Sequence, residues 1–435
     1  MTTHEPIAYV REKMAEQKAP PPTSVGILGW IRANLFPDLV SGILTVVALF
    51  IVYSLVSGLL PWLLHGVWNA SSLDECRKII AERYGEGASG ACWAVIHERF
   101  WQLMYGFYPS HLYWRPNLAF VLLLLGIAPV LFDNLPRKML LITIAVPFVG
   151  PWLLWGGSVW VPIMVFLGFV IGIMVNRFVG RMSGALVGII VGVLAAVVWW
   201  LFLSGPAADL VQSIIPLSIE PVASRNFGGF MLAITLGITG IAMSFPLGIF
   251  LALGRQSNLV ILKTMSVGFI EFIRGVPLIT LLFVASVLLN YFLPKGTEFD
   301  IILRVMIMIT IFSAAYMAEA IRGGLAALPK GQYEAADALG LDYWQAQRLI
   351  IMPQALKIAI PSIVSIFIGL FKDTTLVSII GLSDPIGWVK LIQANAEWNG
   401  IVWELYGFVA FVFFLFCFSM GRYSMYLERK LQTGH

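Results

Sequence analysis

Arg322 to Pro353 reads RGGLAALPKGQYEAADALGLDYWQAQRLIIMP, one of the few long polar interruptions in a very apolar chain. Gly331 to Leu339 reads as a short helix stopped by Gly340, because glycine tolerates the left-handed conformation that ends helices. Asp342 has the chemistry of an N-cap. Gln345, three residues on, returns the hydrogen bond as in a capping box. A second short helix is predicted to end at Pro353, which has no N–H to continue it. The result is a capped polar hairpin between two apolar runs, placed to touch something outside a membrane.

The surrounding runs set the fold class. The chain has 435 residues, 59% hydrophobic and 12% charged, with a mean hydropathy of +0.85. Soluble domains carry about 25% charged residues. Half that charge, with several apolar runs near 20 residues, means a multi-spanning membrane protein. Open sheets would leave backbone groups unsatisfied in lipid, and barrel strands alternate where these runs do not. The expected fold is an all-α polytopic helix bundle. Spans are read at 39–64, 117–133, 138–156, 158–176, 183–204, 226–254, 266–293, 301–321, 356–382 and 402–424, about ten in all.

Orientation follows Lys and Arg in the short loops. Arg137, Lys138, Arg177, Arg181, Arg255, Lys263, the Arg322–Arg348 hairpin, Arg422, Arg429 and Lys430 fall on one side, which is predicted to be cytoplasmic. Both termini are then inside, and the net charge of +4 reports this bias rather than nucleic-acid binding. No cleavable signal peptide is expected, since the first apolar run continues as a full span. Four segments are predicted: a cytoplasmic tail and interfacial stretch at 1–38, with Trp30 at headgroup depth; accessory spans at 39–224; a core at 225–425 carrying the hairpin at 322–355; and a tail at 426–435. The largest outside loop, 65–116, holds Cys76 and Cys92. In an oxidising compartment they either bridge that loop or remain two thiols. Cys417, in a span, reads as a packing residue.

Much chemistry is excluded by what the chain does not contain. There is no P-loop motif, no HExxH and no Cys/His metal spacing. His4, His65, His97, His111 and His435 lie in tails or the outside loop, so no metal site or catalytic triad forms in the spans. Three charged clusters remain. Glu271 and Arg274, three apart on a helix, share a face just before Gly275 and Pro277. They serve either as a membrane-boundary anchor or in a polar path. Glu319 and Arg322 form a similar pair. Lys372-Asp373-Thr374-Thr375 lies inside the 356–382 run, where a lone charge costs at least roughly 2.5–3.5 kcal/mol. That group is either a buried ion pair holding helices in register or the lining of a substrate pathway or gate.

The hairpin carries a family resemblance. Glu334-Ala335-Ala336, three residues, Gly340, nine residues, Ile350, one residue and Met352-Pro353 resembles the EAA motif of ABC importer permeases. Met352 departs from the family's usual Leu by a volume-conserving change. The flanks resemble the polar-amino-acid subgroup, which includes histidine, glutamine, glutamate, arginine and opine permeases. They are Phe272 to Leu278, Ser313 to Gly324, Pro329 to Ala336, Pro353-Gln354-Ala355 and Lys372-Asp373-Thr374. The resemblance covers about residues 225–425. The extra N-terminal spans resemble the longer permease subunit of the general L-amino-acid transporter or its glutamate/glutamine/aspartate/asparagine relative.

The resemblance implies a type I importer core without its own ATPase, in a bacterial inner membrane, working by alternating access. The helix around Glu334, Ala335, Ala336 and Asp337, with Gly340 and Pro353, would seat in a cytoplasmic ATPase subunit that uses ATP and Mg. It further implies a second, homologous permease subunit, a periplasmic amino-acid-binding protein, and an L-amino acid as cargo. The chain itself would bind no cofactor and no nucleic acid, and lipid would surround it. Two other classes compete with this reading. One is an ion-coupled secondary transporter using Lys372 and Asp373, although no internal inverted repeat is visible. The other is a membrane scaffold.

Overall fold

The computed structural model describes residues 25–132, 134–288, 291 and 299–432. The tail expected before residue 25, His4, His435 and part of the loop 294–300 lie outside the described residues. Among the described residues, nine helices are long and apolar enough to cross a membrane. The bent pair Val260–Gly275 and Leu278–Leu288 brings the number to ten when counted as one broken span. The apolar runs thus became helices where the sequence placed them.

Among the described residues, one compact unit holds 25–70 and Asp74–Trp93, and the other holds Ser71–Leu73 and those from Ala94 onward. Most of the accessory spans therefore fold with the core, because they share its apolar packing as described below.

In the first unit, α1 (Gly26–Asn34) precedes α2 (Leu39–Leu64). Asp38 caps α2 by accepting the Ser41 N–H at 2.8 Å. No residue of α2 is buried, as expected for a span whose solvent is lipid. After it, α3 (Leu73–Tyr84) leads to a knot in which Cys76 and Cys92 are joined by a disulfide, Cα to Cα 6.0 Å. His65 stacks on Tyr84 at 4.0 Å, and Trp93 meets Trp62 and Trp68.

The second unit begins with α4 (Ala94–Tyr105), then α5 (Trp114–Leu131), α6 (Leu140–Trp155), α7 (Trp160–Ser183), α8 (Ala185–Val198) and α9 (Ser204–Ile214). Gly184, at φ +92°, makes the one-residue reversal between α7 and α8. The two helices close on small residues, with Gly172 set against Gly192. Trp199 and Trp200 then donate their indole N–H groups to the carbonyls of Met164 and Val165. They lie in a π-helical turn that carries the span beyond its predicted end at 204.

The core follows: α10 (Gly229–Gln256), α11 (Val260–Gly275), α12 (Leu278–Phe283), α13 (Ile301–Ala326), α14 (Lys330–Ala338), α15 (Tyr343–Ala346), α16 (Met352–Asp373), α17 (Pro385–Gln393) and α18 (Trp403–Gln432). The Gly275-Val276-Pro277 sequence bends α11 from the next helix by 99°, since proline removes a donor and glycine offers no packing to resist. Two apolar clusters fill the bundle. One lies at the hairpin end, built from Ala252, Met317, Ile321, Leu325, Ile351 and Ala355. The other lies at the far end and mixes accessory residues Tyr108, Leu112 and Leu154 with core residues Phe227, Leu232 and Ile302.

Candidate coupling hairpin and charged clusters

The polar hairpin is built as its caps dictate. Helix α14 starts after Pro329 and ends at Leu339, followed by Gly340 at φ +69°. There the Gly340 and Leu341 N–H groups reach back to the carbonyls of Asp337 and Ala336, which satisfies carbonyls the helix end leaves open. Asp342 accepts the Gln345 N–H at 2.8 Å, and Gln345 returns the bond to the Asp342 N–H at 3.1 Å.

The end of the hairpin differs from expectation. Pro353 does not stop a helix. Residues 343–380 form one continuous helical run, with a π turn at Gln347–Ile351 directly before α16 and Pro353 in its first turn. The wide turn shifts the hydrogen-bond register, so the missing proline N–H falls where a first-turn donor has no partner anyway.

Exposure sorts the motif residues. Glu334, Ala335, Asp337 and Gly340 are exposed, as is Pro353. Leu339 and Trp344 expose 72% and 65% of their surface, unusual for large apolar side chains beside a polar helix. Ala336 is different: it is completely buried, and Tyr333 packs on the hairpin-end apolar cluster. Burial raises the Tyr333 phenol above its ordinary pKa. Ala336 is therefore turned toward its own chain and not, as the motif reading had it, toward a partner. Gln354 donates to the Gln332 side chain at 3.0 Å and ties the hairpin to the root of α16.

Glu271 and Arg274 do not pair with each other. Glu271 meets Arg255 at 2.8 Å, while Arg274 lies 3.6 Å from Glu319 and over the Tyr316 ring. Glu319 also takes Arg255 at 2.8 Å and Arg322 at 3.1 Å. One carboxylate thus gathers three arginines from α10, α11 and α13 at the hairpin end. From sequence Arg255 is only an orientation marker; its place directly after the 226–254 run, with Glu271 sixteen residues on, is the available signal.

Lys372, Asp373 and Thr374 are not joined to that hub. They end α16 in its far half, beside Leu370 of the far cluster. Among the described residues no ion pair links Lys372 and Asp373. Adjacent positions on a helix point about 100° apart, and Lys372 is exposed while Asp373 is half buried. Thr374 is buried and bonds its hydroxyl to the Phe371 carbonyl at 2.7 Å. A tight 3-10 turn then carries the chain to Gly381.

Asp384, outside the spans, was not singled out from sequence. It is completely buried and caps α17 by accepting the N–H groups of Ile386 and Gly387. Burial, only partly offset by these bonds and by Lys390, pushes its carboxyl pKa up to about 6.

A family model described as the binding-protein-dependent transport system inner membrane component matches residues 244–433. The chain is 56% identical over 429 residues to the glutamate/glutamine/aspartate/asparagine transport system permease protein BztC of Rhodobacter capsulatus, spanning 98% of this chain and 99% of that protein. It is 39% identical over 406 residues to the inner membrane amino-acid ABC transporter permease protein YhdY of Escherichia coli, spanning 93% of each. A solved amino acid ABC transporter, crystallised with histidines, aligns with 46% of this chain and 91% of its own at 30% identity and a TM-score of 0.42.

Proposed function

The chain belongs to the amino-acid permease family of binding-protein-dependent ABC transport systems, and on that premise we propose how it works. It is a multi-pass inner-membrane transport component, and the ion-coupled alternative falls with that assignment. The observation that carries the proposal is the hairpin. Its Glu334, Ala335 and Asp337 are solvent-facing on a short capped helix whose other side is locked into the bundle through Ala336 and the Gln332–Gln354 bond.

In this reading the hairpin end is cytoplasmic, with both termini, in agreement with the lysines and arginines gathered there. The exposed side of α14 seats in a separate ATPase, which supplies ATP and Mg; this chain supplies no ATPase site. Ala335 permits close approach of a partner helix, Glu334 and Asp337 meet cations, and Leu339 and Trp344 cover apolar surface. Movement of α14 passes through Gln354 to α16 and through Ile351 and Leu325 to α13. The Glu319 hub, one span-end away, ties α13 to the bent α11 and so carries movement to the break at Pro277.

Exposed Lys372 and half-buried Asp373 line the pathway where this chain faces a second, homologous permease subunit. There the two charges answer the carboxylate and ammonium of an amino acid. A charge exposed at membrane depth is tolerated only against protein or water, and this supports a facing partner. A binding protein delivers the cargo. The substrates of that relative, glutamate, glutamine, aspartate and asparagine, are the first to try. The test is tagged purification from native membranes, identification of copurifying proteins, and labelled uptake of these four amino acids. An ATPase that copurifies, with ATP-dependent uptake lost in Lys372→Ala, is the expected result. Uptake by the purified chain alone would overturn it.

A further inference from the structure

The helices from α4 to α9 have no role in the mechanism above, yet α4 is fastened to the core at the far end with unusual closeness. Gly106 follows α4 at φ +70° and pairs backbone to backbone with Phe227. A Cβ on Gly106 would overlap Gly228, and one on Gly229 would overlap the Leu103 carbonyl. A Cβ on Gly228 would lie 2.7 Å from the Trp388 indole nitrogen and 2.8 Å from the Ser383 carbonyl. The Gly229 N–H donates to that same carbonyl at 2.8 Å. Three segments thus meet largely backbone to backbone, with only the Trp388 indole against Gly228: the end of α4, the start of α10 and the lead into α17.

Side chains secure the crossing on either side. Arg99 of α4 meets Glu397 at 2.9 Å across 298 residues of sequence. Phe107 lies against Trp388 at 4.7 Å between ring centres, and Phe100 lies against Phe408 of α18 at 6.4 Å. Beneath them, the far apolar cluster draws on both halves. Close-packed contacts hold one arrangement or jump to another and do not deform smoothly. A joint made backbone to backbone has no ridge of side chains to ratchet along.

We propose that α4 and its Gly106 turn are a brace, which makes the helices α5 to α9 and the far end of α10, α17 and α18 one moving body. This rests on the permease reading. It adds that far-side opening during the cycle occurs between this chain and its partner permease, and never between α5–α9 and the core helices they pack on.

The test uses the whole transporter in membrane vesicles, with Cys417→Ala in this chain to leave no other free thiol. Arg99→Cys and Glu397→Cys are joined by a short, cleavable bis-maleimide. The bridged transporter is expected to keep ATP-driven uptake within about twofold of the unbridged sample. Uptake that stops on bridging and returns on cleavage overturns the brace. Gly106→Val, which forces the crossing apart, is expected to cut uptake about tenfold or more while the ATPase still copurifies. Wild-type uptake in that variant also overturns the brace. If Gly106→Val does not reach the membrane, the bridging result decides alone. Absence of ATP-driven uptake in the unbridged parent refutes the permease reading itself, a different outcome from loss on bridging.

Discussion

The two ends of the core bundle are built on different principles. At the far end, accessory and core residues share one apolar cluster, and the crossing at Gly106, Gly228 and Gly229 is held by backbone. At the hairpin end the apolar cluster contains core residues alone. Charge holds that end together, through the three arginines on Glu319. Tyr423 reaches the accessory spans there through a hydroxyl bond to the Leu131 carbonyl and an edge contact with Phe132. Apolar close packing loses free energy with any small displacement. Ion pairs with partly exposed partners cost little to rearrange, being worth about 0–1 kcal/mol each. An end meant to follow a motor is better built the second way, and an end meant to move as a block the first way.

The sharpest way to break this contrast is at the hairpin surface. Glu334 is exposed, so Glu334→Lys should leave the folded chain within about 0.5 kcal/mol of wild type. It should nevertheless abolish ATPase copurification, a loss of about 3–5 kcal/mol if the carboxylate meets a desolvated cation. Retained copurification with full uptake would remove the hairpin as the contact.

At the far end, the Asp384 carboxyl has a pKa of about 6 when folded, against about 3.9 unfolded. The folded chain then holds the proton more tightly. Its stabilising contribution is full below about pH 4 and is lost as pH rises through about 6, up to about 3 kcal/mol in all. Asp384→Asn keeps the cap and removes the charge. Melting temperature against pH should fall for wild type between pH 4 and 7 relative to the variant. Parallel curves would show that the carboxyl is not held in an apolar setting.

Within the hairpin end, Gly324 sits against the Ala355 carbonyl where α13 crosses α16, whereas Gly323 has open space beside it. Gly324→Val should destabilise by about 1–3 kcal/mol, and Gly323→Ala should be neutral or slightly stabilising, both read by thermal unfolding in detergent. Equal effects would mean that this crossing is loose. The smallest effect expected is Arg99→Ala. Glu397 is largely exposed, so loss of the pair should cost only about 0.2–1 kcal/mol. A larger fall would mean that the ion pair, and not the glycine crossing, holds α4 in place.

Several of these features were legible in the residues and several were not. The hairpin caps are local: Gly340, Asp342 and Gln345 act on backbone within four residues, so their geometry follows from order along the chain. The Glu319–Arg322 pair is equally local. Glu271 and Arg274 misled because sharing a helix face permits a pair without selecting it, and Arg255 and Glu319 on neighbouring helices offered closer partners. Pro353 misled because the rule that proline ends a helix assumes an α-helical register, and the π turn before it changes that register. Asp384 gave no signal, since burial of a carboxyl is a property of what packs over it.

By itself, then, the sequence determined the bundle of apolar helices, the spans' approximate limits, and the capped hairpin with its family motif. Each follows from hydrophobicity or from hydrogen bonds over a few residues. Only the tertiary structure decided which face of the hairpin is free, which arginines Glu319 gathers, and where the chain divides. Compact units are set by contacts between distant segments, which polar content along the chain does not report. Gly106 and Gly228 are 122 positions apart, and nothing local in either one reveals that their backbones meet.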